Sequence, residues 1–356
     1  MRVARGLVPL IGVLVILAVV ALIGGAVSQS TQQDFITALV SATIVYGLYV
    51  FVGNSGVISF GHISFVAVGA FAAGILTIEV QPKKFTLPGL YPLLAQHSVG
   101  NVASLVIAFG AGALFALIIG FPLMRLNGIA AGIATFAILQ ITNNVLTFDT
   151  KIGPGATTLS LVPVTTGIGQ ALIGAIIAAV LAFAYQRSRR GRLLRATRED
   201  PAAARAIGIN ITRERLLAFG LSGGIAGLGG GLLVHQLGSI TTDQVYLDLT
   251  FLTLAMLVVG GSRSLLGATV GAIGISLIDS FLTNAVNTVH VVFFDLTLPS
   301  GAADVILGVL MAAMLLLRPR GVTGGRELGL PRALGRRGSA RASGDPSDAV
   351  GVQPPS

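Results

Sequence analysis

The sequence predicts an all-α integral membrane protein, a polytopic bundle of about ten transmembrane segments, some of them broken or re-entrant. Three observations carry that expectation. Hydrophobic residues make up 53 % of the 356 residues and charged residues only 10 %, with a mean hydropathy of +0.87. Soluble domains carry roughly 25 % charged residues, so this chain cannot cover a water-facing globule of its size. Apolar runs recur along the chain, each near the roughly 17–25 residues that a helix needs to cross a bilayer. The arginines that give the net charge of +9 sit beside those runs, which is a topology signal and not a nucleic-acid footprint.

Taken in order, the runs are Leu7–Val27, Phe35–Val52, Ile63–Ile78, Val102–Met124, Gly128–Phe148, Gly169–Gln186, Leu216–Gln236, Leu249–Gly261, Leu265–Ala285 and Gly301–Leu317. The first follows Arg2 and Arg5. Its apolar core exceeds the roughly 7–15 residues of a cleaved signal, so it reads as a retained signal anchor, although Ala26-Val27-Ser28 is weakly like a cleavage site. The third and eighth runs are short enough to be half-helices or re-entrant segments. With the N-terminus inside, ten crossings put all 20 arginines on the cytoplasmic side, at 2–5, 125, 187–215, 263 and 318–341, and leave Lys83, Lys84 and Lys151 outside. Both termini are then cytoplasmic. Residues 1–317 form the transmembrane domain, and the basic, Gly/Ser/Pro-rich segment 318–356 is expected to be a disordered tail.

Other classes are excluded by what the chain lacks. It has no cysteine, hence no disulfide scaffold, thiolate metal site or Cys nucleophile. It has no G-x-x-x-x-G-K-[ST] loop, so it is not expected to hydrolyse ATP or to bind a cofactor itself. Glycine is abundant, at 47 residues, and part of it is spaced for helix contact: Gly223, Gly227 and Gly231 in one segment, Gly267 and Gly271 in another. Small residues every fourth position let backbones approach closely in lipid.

The longest basic loop contains Asp200, a good N-cap, then Pro201 at a first helical position, and Gly208 where a left-handed C-terminal residue belongs. A two-turn helix over 201–207 follows, whose alanines at 202, 203, 204 and 206 offer a narrow surface for a partner's groove. A capped connector whose nine arginines only fix topology and touch anionic lipid explains the same residues equally well. Upstream, Gly53, Gly56 and Gly61 interrupt an apolar segment beside Asn54, Ser55, Ser59, His62 and Ser64. Irregular backbone at membrane depth lines a cavity or is buried in protein, so these residues are candidates for a substrate pathway. The alternative is a turn between two helices with His62 hydrogen-bonded in a helix contact. In the fifth run, Thr135, Gln140, Asn143 and Asn144 supply polar groups, the last three on one face. That stripe points either to the pathway or to hydrogen bonds between helices. Asp279 is either functional at depth or snorkelling to the surface.

The pattern Glu199-Asp200-Pro201-Ala202-Ala203 leading to Gly208 resembles the coupling loop of ABC importer permeases. The run from Gly191 to Leu233, the block Gly53–Phe65, the block Arg125–Gln140 and Val259-Gly-Gly-Ser-Arg-Ser-Leu-Leu-Gly267 together resemble the branched-chain amino acid permease family, LivH/LivM type. The length and the additional first helix make it most like the LivM subunit. This resemblance implies coupling residues Glu199, Asp200, Pro201, Ala203, Ala204, Arg205 and Gly208. It also implies a LivH-type permease partner, two ATPase subunits carrying ATP and Mg, an extracytoplasmic binding protein, and a bacterial or archaeal inner-membrane location. Leu, Ile or Val is the implied cargo, with urea, short amides or another small solute as the alternative. A stand-alone secondary transporter or channel would need an ion-coupling site, and ionisable residues at depth are scarce. The chain departs from the family at Ala130, where an aromatic residue is usual, and at Thr150-Lys-Ile-Gly-Pro-Gly155, where the usual loop is T-G-G-x-x-G-like.

Overall fold

The computed structural model describes residues 2–126, 128–286, 289–291, 294–296, 302–318 and 321–324. The helices run in order α1 (Arg2–Ala26), α2 (Gln29–Ser55), α3 (Ile63–Thr77), α4 (Val80–Thr86), α5 (Pro92–Ala95), α6 (Asn101–Leu123), α7 (Ile129–Phe148), α8 (Ile168–Arg187), α9 (Arg189–Glu199), α10 (Pro201–Ala206), α11 (Ile211–Leu237), α12 (Leu247–Gly260), α13 (Leu265–Val286) and α14 (Ala302–Leu317). A small antiparallel hairpin, β1 (Val289–Val291) with β2 (Phe294–Leu296), lies between α13 and α14 in the chain and pairs Val289 with Leu296.

The all-helical membrane fold is as expected, but the number of crossings is lower. Among the described residues, eight helices are long and apolar enough to span a bilayer, or nine if α3 and α4 count as one span bent by 118°. The tenth expected crossing, Gly301–Leu317, is the 16-residue α14, too short to be counted with them. The eighth, Leu249–Gly261, is α12, which reaches span length only with the 3-10 turn Asp243–Val245 before it. Of the tail expected from residue 318, residues 318 and 321–324 are described. Residues 322 and 323 meet the end of α12, where Val322 N–H donates to the Val259 carbonyl (2.8 Å) and the Thr323 hydroxyl to that of Gly260 (2.9 Å). The rest of the tail lies outside the described residues.

Helix α11 is the hub, packed against α6, α2 and α3 at once. Its sequence makes this possible because each contact face is glycine. A Cβ at Gly227 would collide with the Ala108 carbonyl of α6, one at Gly230 with the Val66 carbonyl of α3, and one at Gly229 with Ile44 of α2. The expected Gly223–Gly227–Gly231 ridge thus lies on α6, where Ala108, Gly112 and Ala116 repeat the four-residue spacing. In lipid, van der Waals contact and interhelical hydrogen bonds must do the work that water does for soluble cores. Polar links supply the second part: Tyr46 Oη with Thr269 Oγ1 (2.8 Å) ties α2 to α13, and Gln236 Nε2 donates to Thr37 Oγ1 (2.6 Å), tying α11 to α2. Around this centre α2 and α11 are buried along most of their length, whereas α1, α6 and α7 expose most of theirs.

Candidate functional site

At the arginine-rich end of the bundle, the segment after α8 is two consecutive capped helices. Ser188 Oγ accepts the Gly191 N–H (3.1 Å) and opens α9. Gly191 lies so close to the Tyr185 carbonyl that a Cβ would not fit, and Leu194 and Thr197 are buried beneath the helix. Asp200 then caps α10, its Oδ1 accepting the N–H groups of Ala202 (2.8 Å) and Ala203 (3.0 Å), with Pro201 in the first turn. The helix ends at Ala206, one residue before the expected Ile207, in a Schellman motif. Ile209 N–H bonds the Ala204 carbonyl (3.0 Å), Gly208 N–H bonds that of Arg205 (3.0 Å), and Gly208 takes φ +83°. Every residue of α10 except Ala204 is exposed, as is the following Ile207, whereas Ala204 is 3 % exposed and faces its own chain. Ala204 therefore has to leave the expected partner-facing set.

Arg198, which sequence reading passed over as one arginine of nine, connects this loop to the bundle. Its Nη1 donates to the Gly53 carbonyl (2.7 Å), one of the last carbonyls of α2, where a cation also meets the negative end of the helix dipole. Its methylene stem runs under Gly56: a Cβ there would lie 2.6 Å from Arg198 Cγ and 2.7 Å from Cδ. Its Nη2 and Nε grip Glu199 (2.8 and 3.2 Å), and that guanidinium holds the exposed Glu199 carboxyl below the usual carboxylate range.

The Gly53–Phe65 block is the junction between α2 and α3. Gly56 ends α2 in the left-handed region (φ +72°) with its N–H on the Val52 carbonyl (2.9 Å). Asn54 is buried and donates to the Val50 carbonyl (2.9 Å). His62 is 3 % exposed, enclosed by Phe51, Phe65 and Phe219 at 5.9, 5.3 and 5.6 Å between ring centres. Ser222 of α11 gives its hydroxyl hydrogen to the Gly47 carbonyl (2.5 Å), so His62 Nε2–H donates to Ser222 Oγ. Nδ1 lies 3.0 Å from Ser59 Oγ, so both ring nitrogens have a hydroxyl partner. Gly61 sits on the Thr135 carbonyl of α7, and Thr135 Oγ1 accepts the Phe60 N–H (3.1 Å). So Gly53, Asn54, Ser59, Gly61, His62 and Thr135 are brought together, but as the support behind a wall.

The wall itself belongs to their neighbours. A cavity of ≈ 570 Å³ lies between Gly56, Val57, Ile58 and Phe60 of the junction, Ile133 and Phe136 of α7, and Phe251 of α12. Its lining is almost wholly apolar, which is why a search for polar residues in the sequence missed it. Gln140 and Asn143 stand further along α7. Gln140 accepts from Tyr246 Oη before α12, while Asn143 is half-buried with Oδ1 unbonded. Asn144 is exposed, and Asp279 is half-buried on α13.

A helical bundle with a capped basic loop strapped to a cavity wall is the frame of a transport subunit. Residues 30–315 match the family described as branched-chain amino acid transport system / permease component, and the chain belongs to that family of ABC permease subunits. It is 24 % identical over 330 residues to the high-affinity branched-chain amino acid transport system permease protein LivM of Escherichia coli (strain K12), covering 83 % of this chain and 70 % of that one. A probable LivH of Methanocaldococcus jannaschii is 35 % identical over 144 residues, 39 % of this chain and 42 % of the relative. The autoinducer 2 import system permease protein LsrC of Enterobacter sp. (strain 638) is 31 % identical over 268 residues, 72 % and 75 % of the two chains. No solved structure matches the chain. The protein is thus a multi-pass membrane permease subunit.

Proposed function

We propose that the chain imports branched-chain amino acids as one permease of a binding-protein-dependent ABC system in a bacterial or archaeal inner membrane. The arginine-rich end is cytoplasmic in this reading. Two ATPase subunits, which carry ATP and Mg, dock on α10 through Ala202, Ala203 and Ile207. A LivH-type permease pairs with the bundle, and an extracytoplasmic binding protein delivers cargo. The observation that carries the reading is the Arg198 strap, which ties the α9–α10 unit to the Gly53–Phe60 segment of the cavity wall. Displacing α10 therefore pulls directly on the wall. The apolar lining by Ile58, Phe60, Ile133, Phe136 and Phe251 suits the aliphatic side chain of Leu, Ile or Val, which urea and the shortest amides lack. The LivM and LivH likenesses support the same cargo class, while the LsrC likeness supports a different small solute.

The test reconstitutes the chain with its partner permease, ATPases and binding protein, and measures ATP-dependent uptake of labelled leucine, urea and acetamide. Leucine uptake that needs both ATP and the binding protein is expected. Uptake by this chain alone, or uptake of urea in preference to leucine, overturns the proposal. Orientation is checked in the same cells by single cysteines, clean because the chain has none of its own. A cysteine at Ser98 should label from outside and one at Ser188 should not.

A further inference from the structure

A second cleft, of ≈ 260 Å³, lies at the arginine-rich end where α6 finishes and α11 begins. Three guanidinium side chains line it from three elements: Arg125 just past α6, Arg205 on α10 and Arg215 in the second turn of α11. Its remaining lining, including Asn210 and Thr212, contains no carboxylate. Arg125 lies over the Phe121 ring, 5.0 Å from its centre, and Arg215 Nη1 donates to the Leu126 carbonyl (3.3 Å). Arg215 is only 8 % exposed, so its charge is held in place largely out of water. Three like charges facing one space repel one another, and an anion between them converts the repulsion into charge-assisted hydrogen bonds. The cleft lies at the ends of two apolar helices long enough to span a bilayer, beside the polar first turn of α11, which is the level expected for headgroup phosphates.

We propose that this cleft is a binding site for a phosphate-type anion, filled by the headgroup of an anionic phospholipid. With Arg205 on α10 and the other two arginines on the bundle, the bound headgroup fastens the α9–α10 unit to α6 and α11. Only this last consequence rests on the coupling role proposed for α10; the site itself does not.

The purified complex in detergent is titrated with dioctanoyl phosphatidylglycerol, dioctanoyl phosphatidylcholine or inorganic phosphate. Bound lipid is counted by native mass spectrometry, and stability is followed by the thermal unfolding midpoint. Saturable binding of phosphatidylglycerol but not phosphatidylcholine is expected. Arg125→Gln and Arg205→Gln, both at exposed side chains, should each weaken it about fivefold, the contribution of one basic residue near an anionic surface. Arg189→Gln, outside the cleft, should leave it unchanged. Saturation by inorganic phosphate with the same arginine dependence supports the anion site and assigns it a free ion as source. Phosphatidylglycerol binding that survives Arg125→Gln with Arg205→Gln, or falls equally with Arg189→Gln, overturns the proposal, because it then reports a diffuse basic surface. Absence of lipid and phosphate binding by the complex also overturns it. If the ATPases fail to co-purify, the coupling reading fails, while the titration of the permease chain remains a test of the cleft.

Discussion

Replacing His62 by phenylalanine separates a packing role from a ligand-binding one. The ring is buried among Phe51, Phe65 and Phe219, so the substituted phenyl ring keeps the aromatic volume and opens no cavity. What is lost is the bond from Nε2 to Ser222 and the one between Nδ1 and Ser59. Hydrogen bonds between membrane helices contribute about 0.6 kcal/mol each on average, so the pair amounts to about 1 kcal/mol. Ser222 keeps its bond to the Gly47 carbonyl, which limits the penalty. His62→Ala adds the loss of a ring from a closed aromatic nest, for a total of roughly 2–4 kcal/mol. The midpoint of thermal unfolding in detergent should then fall by about 2–4 °C for His62→Phe and about two to four times as much for His62→Ala. Leucine uptake per folded complex should be unchanged in His62→Phe. A His62→Phe protein with an unaltered midpoint and abolished uptake would refute this reasoning and return the imidazole to the substrate.

Arg198→Met keeps the stem beneath Gly56 but removes the donor to Gly53; ATPase co-purification should persist while uptake per ATP hydrolysed falls about tenfold, the equivalent of one charge-assisted hydrogen bond. Ala203→Trp, on the exposed side of α10, should leave the permease folded and abolish ATPase stimulation by the loaded binding protein. Ala204→Trp, at the buried alanine, should instead lower the yield of folded protein, so equal behaviour of the two variants would refute the orientation of α10. Gly227→Leu forces a side chain into the Ala108 carbonyl and Gly112 and should cost roughly 1–3 kcal/mol, read as a lower unfolding midpoint. Gly25→Leu, with open space around it, should be neutral in the same measurement.

The long apolar helices were legible because a bilayer demands about twenty apolar residues in a row, and their order along the chain matches the structure. Helix α2 begins at Gln29, six residues before the expected Phe35, because Gln29–Asp34 is polar and hydropathy cannot see a helix continuing out of the membrane. Helix α9 was invisible for a related reason: it buries only Gly191, Leu194 and Thr197 and is otherwise basic. Helix α10 was legible almost to the residue, since Asp200, Pro201 and Gly208 write its start and stop locally. Which of its alanines faces inward depends on packing against the bundle, and no local pattern encodes that. The polar residues of Gly53–Phe65 are adjacent in sequence, but the enclosure of His62 depends on Phe219 and Ser222, which arrive from α11 and which no local pattern announces. Apolar cavity-lining residues such as Ile58 and Phe251 look like any lipid-facing side chain in the sequence, because only the fold sets the α2–α3 junction beside α7 and α12.

The glycine faces of α11 have a mechanical consequence. Where α2, α3 and α6 meet α11, backbone lies against backbone at Gly47, Gly69, Gly112, Gly227 and Gly230, with no rotatable side chain at those points to absorb a displacement. Such joints do not creep; these four helices behave as a stator. Helix α7 is the opposite case, meeting the bundle chiefly through α3 and α6 and springing from Gly128, whose φ of +59° with ψ of −135° only glycine adopts comfortably. If the cavity changes shape, α7 turning about Gly128 is the movement that disturbs the fewest packed contacts, and stiffening that point would leave every contact of the stator in place.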